Sequence, residues 1–200
     1  MDKQVIIAIG REFCSEGSDV GQKLAERLGI QYYDRNLLDE FADQNDLNSA
    51  ELQKYDETPK FKFMSRTVRG YSNNPMENIM EIQSALLKSK AIDEDSFVIV
   101  GRCAEEILKD FDCLISVFIS SDHDVRLKHT MEKFGLNEKD AEKKLQRHDK
   151  YRKAYHDHFA KKKWGEAVTY DICINASKLG VEATVDALVA YVERRVSLMK

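Results

Sequence analysis

Two kinds of apolar pattern alternate along the chain. Val5-Ile6-Ile7-Ala8-Ile9 is an unbroken apolar run ending at Gly10. A run without polar alternation predicts a strand covered on both faces, as in a parallel sheet. Val20, Leu24 and Leu28 then recur at every fourth position before Gly29, which predicts a helix with a glycine stop. Ile30 to Tyr33 predicts a short second strand, and Asp34 is placed to cap a helix carrying Leu37, Leu38 and Phe41. From about Asp43 to Asn74 the periodicity fades. That stretch is long for a plain connection and reads as an inserted segment with some helix of its own.

Asn74-Pro75 reads as an N-cap followed by proline at the first helical position, with Ile79, Ile82, Leu86 and Leu87 as one apolar stripe behind it. Phe97 to Gly101 repeats the buried-strand pattern, with a helix expected from Cys103 to Lys109. Cys113 to Ile119 is the next strand. Ser121 and Asp124 read as the two ends of a capping box for a helix Asp122–Phe134, stopped by Gly135. Asn137 opens a long charged helix to about Ala160, and Tyr170 to Asn175 is a last strand. Val181, Val185, Leu188, Val189, Val192 and Val196 mark an amphipathic C-terminal helix. Strands alternating with helices predict an α/β fold with right-handed crossovers and a mostly parallel sheet. Ligands then bind at the carboxyl ends of the strands.

Composition narrows this picture. A chain of 200 residues fits one domain. With 31 Lys and Arg against 35 Asp and Glu, the net charge of −4 argues against a partner that is a nucleic acid polymer or a membrane surface. No apolar stretch approaches the roughly 20 residues of a membrane span, and Met1 to Gly10 does not read as a signal peptide. Cys14, Cys103, Cys113 and Cys173 form no CxxC or zinc-like pattern, so free thiols in a reducing cytoplasm are expected.

Three segments carry candidate chemistry. The first is the loop from Gly10 to Gly21 after the first strand. There a helix N-terminus offers unpaired amides and a positive dipole end to a phosphate. It does not satisfy G-x-x-x-x-G-K-[ST], because no lysine follows Gly17, and an ordinary turn capped by Ser18 or Asp19 is the alternative. The second is Arg102, just past a buried strand end; its planar fork suits a phosphate, or pairs with Glu105 or Glu106 at the surface. The third is the span 138–163, with ten Lys and Arg against five Asp and Glu. It is either a solvated helix face or a basic surface for an anion. His156 and His158 point to opposite sides of a helix and read as surface residues.

Taken together, these segments resemble the cytidylate kinase-like family, a variant branch of the P-loop nucleoside monophosphate kinases. The resemblance rests on Ile9-Gly10-Arg11-Glu12-Phe13-x-Ser15-x-Gly17-Ser18-x-Val20-Gly21, Tyr32-Tyr33-Asp34-Arg35, and Val98-Ile99-Val100-Gly101-Arg102-Cys103-Ala104. It continues in Asp149-Lys150-x-Arg152-x-x-Tyr155, Trp164-Gly165 and Tyr170 to Ser177, and it is weakest over about 54–74. The resemblance implies a P-loop NTPase-like three-layer fold, a five-stranded parallel sheet flanked by helices, in a single domain over 1–200. An acceptor-binding segment is expected at 36–74 and a helical lid at 137–168. It implies ATP-dependent phosphorylation of CMP or dCMP with Mg²⁺, in the cytoplasm. By position, Arg11, Ser15, Gly17, Ser18 and Asp19 fall to the donor phosphates. Arg102 falls to the acceptor, where Asp34 is also placed, and Arg147 and Arg152 fall to the transferring phosphoryl. Arg66 and Arg69, with Lys60, Lys62 and Tyr71 in the segment 43–74, either hold the acceptor or form a solvated basic patch. No residue is assigned as a metal ligand, and no oligomeric state is assigned.

The departures define two alternatives. The phosphate-loop lysine is missing, and Asp19 stands where a magnesium-binding Ser or Thr is expected. Cys14-Ser15-Glu16-Gly17 replaces Gly-Ser-Gly-Gly, and Cys103, not Asp, follows Arg102. Arg11 is a candidate source of the missing charge. One alternative is a catalytically impaired nucleotide-binding or sensing protein on the same fold. The other is a kinase for another small phosphate acceptor.

Overall fold

The computed structural model describes residues 3–34, 67–68, 71–72, 75–101 and 103–199. Along these run β1 (Ile6–Arg11), α1 (Gly17–Leu28), β2 (Gln31–Tyr33), β3 (Thr67–Val68), β4 (Tyr71–Ser72) and α2 (Pro75–Ile92). They continue as β5 (Phe97–Val100), α3 (Ala104–Ile107), β6 (Leu114–Ser120), α4 (His123–Phe134), α5 (Glu138–Phe159), β7 (Ile172–Asn175) and α6 (Gly180–Leu198). Five strands form one parallel sheet in the order β2-β5-β1-β6-β7, while β3 and β4 make a separate antiparallel pair. The first strand is therefore central, with β5 and β6 on either side.

The unbroken apolar runs are explained by two cores, one on each face of the sheet. Ile7 and Ile9 point to one side, where Val20 and Leu24 of α1 and Val185, Leu188 and Val192 of α6 cover them. Ile6 and Ala8 point to the other, against Leu87 and Ala91 of α2, Ala104 of α3 and Leu108 just after it. Side chains alternate across a strand with period two, so a strand covered twice needs apolar residues at every position. Gly29 and Gly135 end α1 and α4 in the left-handed conformation, and the Asn137 side chain accepts the Asp140 N–H at the start of α5. No helix among the described residues is long and apolar enough to cross a membrane.

Some local expectations give way to longer-range contacts. The capping box at Ser121 and Asp124 does not form: the cap position of α4 is Asp122, without a side-chain cap bond. The Ser121 N–H instead donates to Glu12 Oε2 at 3.0 Å, and the Asp122 carboxylate turns to Asn175 and Lys178. The helix expected from Cys103 to Lys109 is the single turn of α3, because the chain must fold back through Phe111 to enter β6. The last strand starts at Ile172 and not Tyr170. Asp171 is used earlier, its carboxylate taking the Ser116 N–H and hydroxyl at 2.7 and 2.8 Å. The helix expected after Asp34, and most of the segment 36–74, lie outside the described residues.

The contact between α1 and β5 offers a direct check on this packing. A side chain at Gly21 would bring its Cβ within 2.7 Å of Val100 Cγ2 and 3.2 Å of Ile9 Cδ1. Gly21→Ala is expected to lower stability by about 1–3 kcal/mol, the usual cost of overpacking a filled core, read as a shift of the urea midpoint.

Candidate functional site

The site grows out of two adjacent turns at the carboxyl ends of β1 and β5. The Gly101 N–H donates to the Ile9 carbonyl at 2.8 Å, which holds the turn after β5 beside the turn after β1. The cap position of α1 is Glu16, in the left-handed region at φ 62°, and not Ser18 or Asp19. Cys14 is left-handed too, at φ 54°. The Val20 N–H makes the first bond of α1, to Glu16 O at 2.9 Å. The amides of Gly17, Ser18 and Asp19 precede it and have no acceptor within the helix. They face a cleft of about 490 Å³ lined by residues 11–19, Asp34, Phe134, Lys144, His148 and Arg152, among others.

Arg11 is built into the base of this loop. A Cβ at Gly17 would lie 2.6 Å from Arg11 Cβ, and one at Gly101 would lie 2.1 Å from Arg11 Nη1. Two missing side chains thus make the slot that the arginine fills. Its Nη2 meets Asp34 Oδ1 at 3.3 Å. Asp34 also accepts from the Ser18 hydroxyl at 3.3 Å and lies beside the Tyr32 hydroxyl. Burial, with the Asp34 charge next, pushes the Tyr32 phenol up to about 12. The loop lacks a lysine but keeps a largely buried guanidinium at its root.

A second group of side chains ties the loop to α4 and α5. Ser15 is buried, and its hydroxyl donates to Glu12 O and Ile119 O, so its oxygen is turned into the protein and away from the cleft. The Phe13 N–H donates to Asp149 Oδ1 at 2.8 Å, and Arg126 donates to Asp149 Oδ2 at 2.5 Å. The Glu12 carboxyl is raised by burial, with the Ser121 amide and Arg126 pulling the other way. Arg152 reaches the Arg11 carbonyl from Nη1 at 3.2 Å.

Beside Arg11 lies a small pocket of about 70 Å³, lined by Gly10, Arg11, Gly101, Cys103, Glu105, Arg152, His156, Trp164 and Tyr170, among others. His156 is not a surface residue. It is 4% exposed, and its Nε2 lies 2.6 Å from Oε1 of Glu105, itself 8% exposed. His158 is exposed, as expected. The pair joins α5 to α3 across 51 residues of chain. Burial, with the Glu105 charge next, pushes the Tyr170 phenol far up, and the Gly165 amide pulls the other way.

Of the residues expected to serve the site, Arg11, Ser15, Gly17, Ser18, Asp19, Asp34 and Arg152 gather around the cleft. Arg147 sits on the exposed face of α5 and lines neither cavity. Arg66, Arg69 and Arg102 lie outside the described residues. Sequence patterns missed the contacts of Glu105, His156, Asp149 and Arg126. Asp149 stood in the motif Asp149-Lys150-x-Arg152 and Glu105 as an alternative partner of Arg102, but all four contacts join elements distant in the chain, and no local pattern points to them.

A cleft at the carboxyl ends of a parallel sheet, facing a helix N-terminus, is the arrangement of an α/β phosphate-binding domain. A sequence model of the cytidylate kinase-like family matches residues 6–178, and the chain belongs to that family. No curated protein matches the chain. Among solved structures, an uncharacterized protein from Eubacterium ventriosum is 38% identical, with a TM-score of 0.76, over 95% of this chain and 99% of its own. A shikimate kinase from Bacteroides thetaiotaomicron is 14% identical with a TM-score of 0.56, over 94% of this chain and 98% of its own. Another from Aquifex aeolicus is 16% identical with a TM-score of 0.54, over 98% and 100%. The fold is that of the P-loop kinases.

The two helix faces of α5 make a testable contrast. His156→Ala removes one partner of a buried polar pair and is expected to cost about 3 kcal/mol of stability. Arg147→Ala on the exposed face should cost less than about 0.5 kcal/mol. Urea unfolding of the two variants beside the wild type checks both.

Proposed function

We propose that this chain transfers the γ-phosphoryl of ATP to a nucleoside monophosphate, with CMP or dCMP as the first acceptor, in the cytoplasm. The observation that carries the proposal is the loop at residues 13–19, whose helical amides face a cleft with the Arg11 guanidinium held at its base. Family membership and the P-loop kinase fold agree with it.

In this reading the amides of Gly17, Ser18 and Asp19 hold donor phosphates, and Arg11 and Arg152 supply positive charge near them. Phosphoryl transfer depends on positioning and electrostatics more than on covalent help from the protein. Mg²⁺ arrives on the donor phosphates, as part of the substrate. Oxygen donors suit this hard cation, and the phosphates themselves supply them. An acceptor phosphate oxygen attacks the γ-phosphorus, the bond to the bridging β–γ oxygen breaks, and ADP leaves. In the same reading Asp34, Arg66, Arg69 and Arg102 serve the acceptor and Arg152 the transferring phosphoryl; Arg147, on the exposed face of α5, joins it only if that helix moves on binding.

One observation favours a second reading. A phosphate acceptor is already an oxyanion, whereas a hydroxyl acceptor must lose a proton as it attacks. The Glu105–His156 pair, 2.6 Å apart at the wall of the small pocket, would be the group placed to take that proton from a small hydroxyl-bearing acceptor. A coupled ADP-release assay over nucleoside monophosphates and small hydroxylated acceptors, with and without Mg²⁺, separates the readings. Turnover with CMP or dCMP is the expected result. Turnover only with a hydroxyl acceptor selects the second reading, and ATP binding without any turnover selects a sensing protein.

Glu16 supplies a sharper prediction. Its carboxylate lines the cleft, on a backbone that glycine adopts more easily. Like charges about 4 Å apart repel by about 1 kcal/mol in water and about 4 kcal/mol at an effective dielectric of 20, before a flexible side chain swings away. Glu16→Gly is therefore expected to tighten ATP binding by about 1 kcal/mol, roughly fivefold. Calorimetry at matched salt and Mg²⁺ checks it, and weaker binding would make Glu16 a useful group in the site.

A further inference from the structure

The turn between β1 and α1 places two residues with side chains in the left-handed region, Cys14 at φ 54° and Glu16 at φ 62°. That region is sterically disfavoured for any residue with a Cβ. It persists where the surroundings over-determine the backbone. On one side of the turn the buried Ser15 hydroxyl is fixed between Glu12 O and Ile119 O. On the other side stands Asp149, in the middle of α5 and 136 residues further along the chain.

Asp149 holds the residue just before Cys14. Its Oδ1 accepts the Phe13 N–H at 2.8 Å, and its Oδ2 accepts from Arg126 Nη1 at 2.5 Å. Arg126 is in turn fixed by the Glu12 carboxylate at 3.5 Å and by the Phe13 carbonyl at 3.4 Å. The neighbouring His148 ring lies flat on the Phe13 ring, with centroids 4.2 Å apart and planes 5° from parallel. Both the amide and the ring of Phe13 are thus gripped by one turn of α5.

We propose that Asp149 is a positioning residue for the phosphate loop: by fixing Phe13 it keeps Cys14 and Glu16 left-handed, so that anion binding by the loop depends on the docking of α5. The proposal rests on reading residues 13–19 as a phosphate loop. It differs from a plain tie between α4 and α5 in one consequence. Glycine takes left-handed conformations at no steric cost, so a loop with glycine at both positions no longer needs Asp149.

The test is a double-mutant comparison read by inorganic tripolyphosphate binding, measured by calorimetry at fixed ionic strength. Asp149→Ala is made in the wild type and in a Cys14→Gly/Glu16→Gly background, so the charge lost with Glu16 cancels within each pair. We expect Asp149→Ala to weaken tripolyphosphate binding about tenfold in the wild type and no more than about twofold in the glycine background. Asp149→Asn keeps an acceptor for the Phe13 N–H and should retain more affinity than the alanine variant. It serves where Asp149→Ala does not fold. Equal losses in both backgrounds overturn the positioning role while leaving the loop as a phosphate site. Tighter binding after Asp149→Ala also overturns it, because the carboxylate would then be competing for an amide that the anion uses. A wild type that binds no tripolyphosphate removes the phosphate-loop reading, and the proposal with it.

Discussion

The Arg11 side chain lies where three pieces of backbone meet, and the site is arranged around it. It leaves the end of the central strand, passes Gly17 at the start of α1 and packs under Gly101 in the turn after β5. A Cβ at either glycine would collide with it. Asp34, following β2, takes its outer nitrogen. One guanidinium thus keys together the carboxyl ends of β1, β5 and β2. An arginine stays charged at any pH a protein meets, so the loop keeps a permanent positive charge at its root although no lysine follows Gly17.

The long charged helix completes this arrangement. α5 touches the body at several points: Asp149 on the Phe13 amide, Arg152 on the Arg11 carbonyl, and His156 on Glu105. In this conformation the helix is docked on the loop, and its basic exposed face is turned to solvent. Two cavities flank the docked helix: the larger lies against the start of α1, and the smaller is lined by Arg11, Arg152, Glu105 and His156.

What is legible in the sequence follows the range of the interaction that decides each feature. Val5 to Ile9 and Phe97 to Val100 read as buried strands because both faces of the sheet are covered, which leaves a mark at every position. Gly29, Gly135 and Asn137 mark helix ends through bonds made within a few residues. Ser121 misleads because its amide is claimed by Glu12, 109 residues away. His156 misleads for the same reason: a mostly charged helix reads as a solvated face, and Glu105 is invisible without the fold. The loop itself is half legible. Its place after the first strand is plain, but the left-handed turns at Cys14 and Glu16 lack the glycines that normally announce them.

If the Arg11-rooted loop is the nucleotide phosphate site, titrating MgATP into wild type, Arg11→Met and Arg11→Lys shows it most directly. A charged hydrogen bond of this kind is worth about 1.5–3 kcal/mol. Arg11→Met should therefore weaken binding by roughly tenfold to a hundredfold, with Arg11→Lys recovering part of the loss. Equal affinity for MgATP in wild type and a folded Arg11→Met variant would contradict the account.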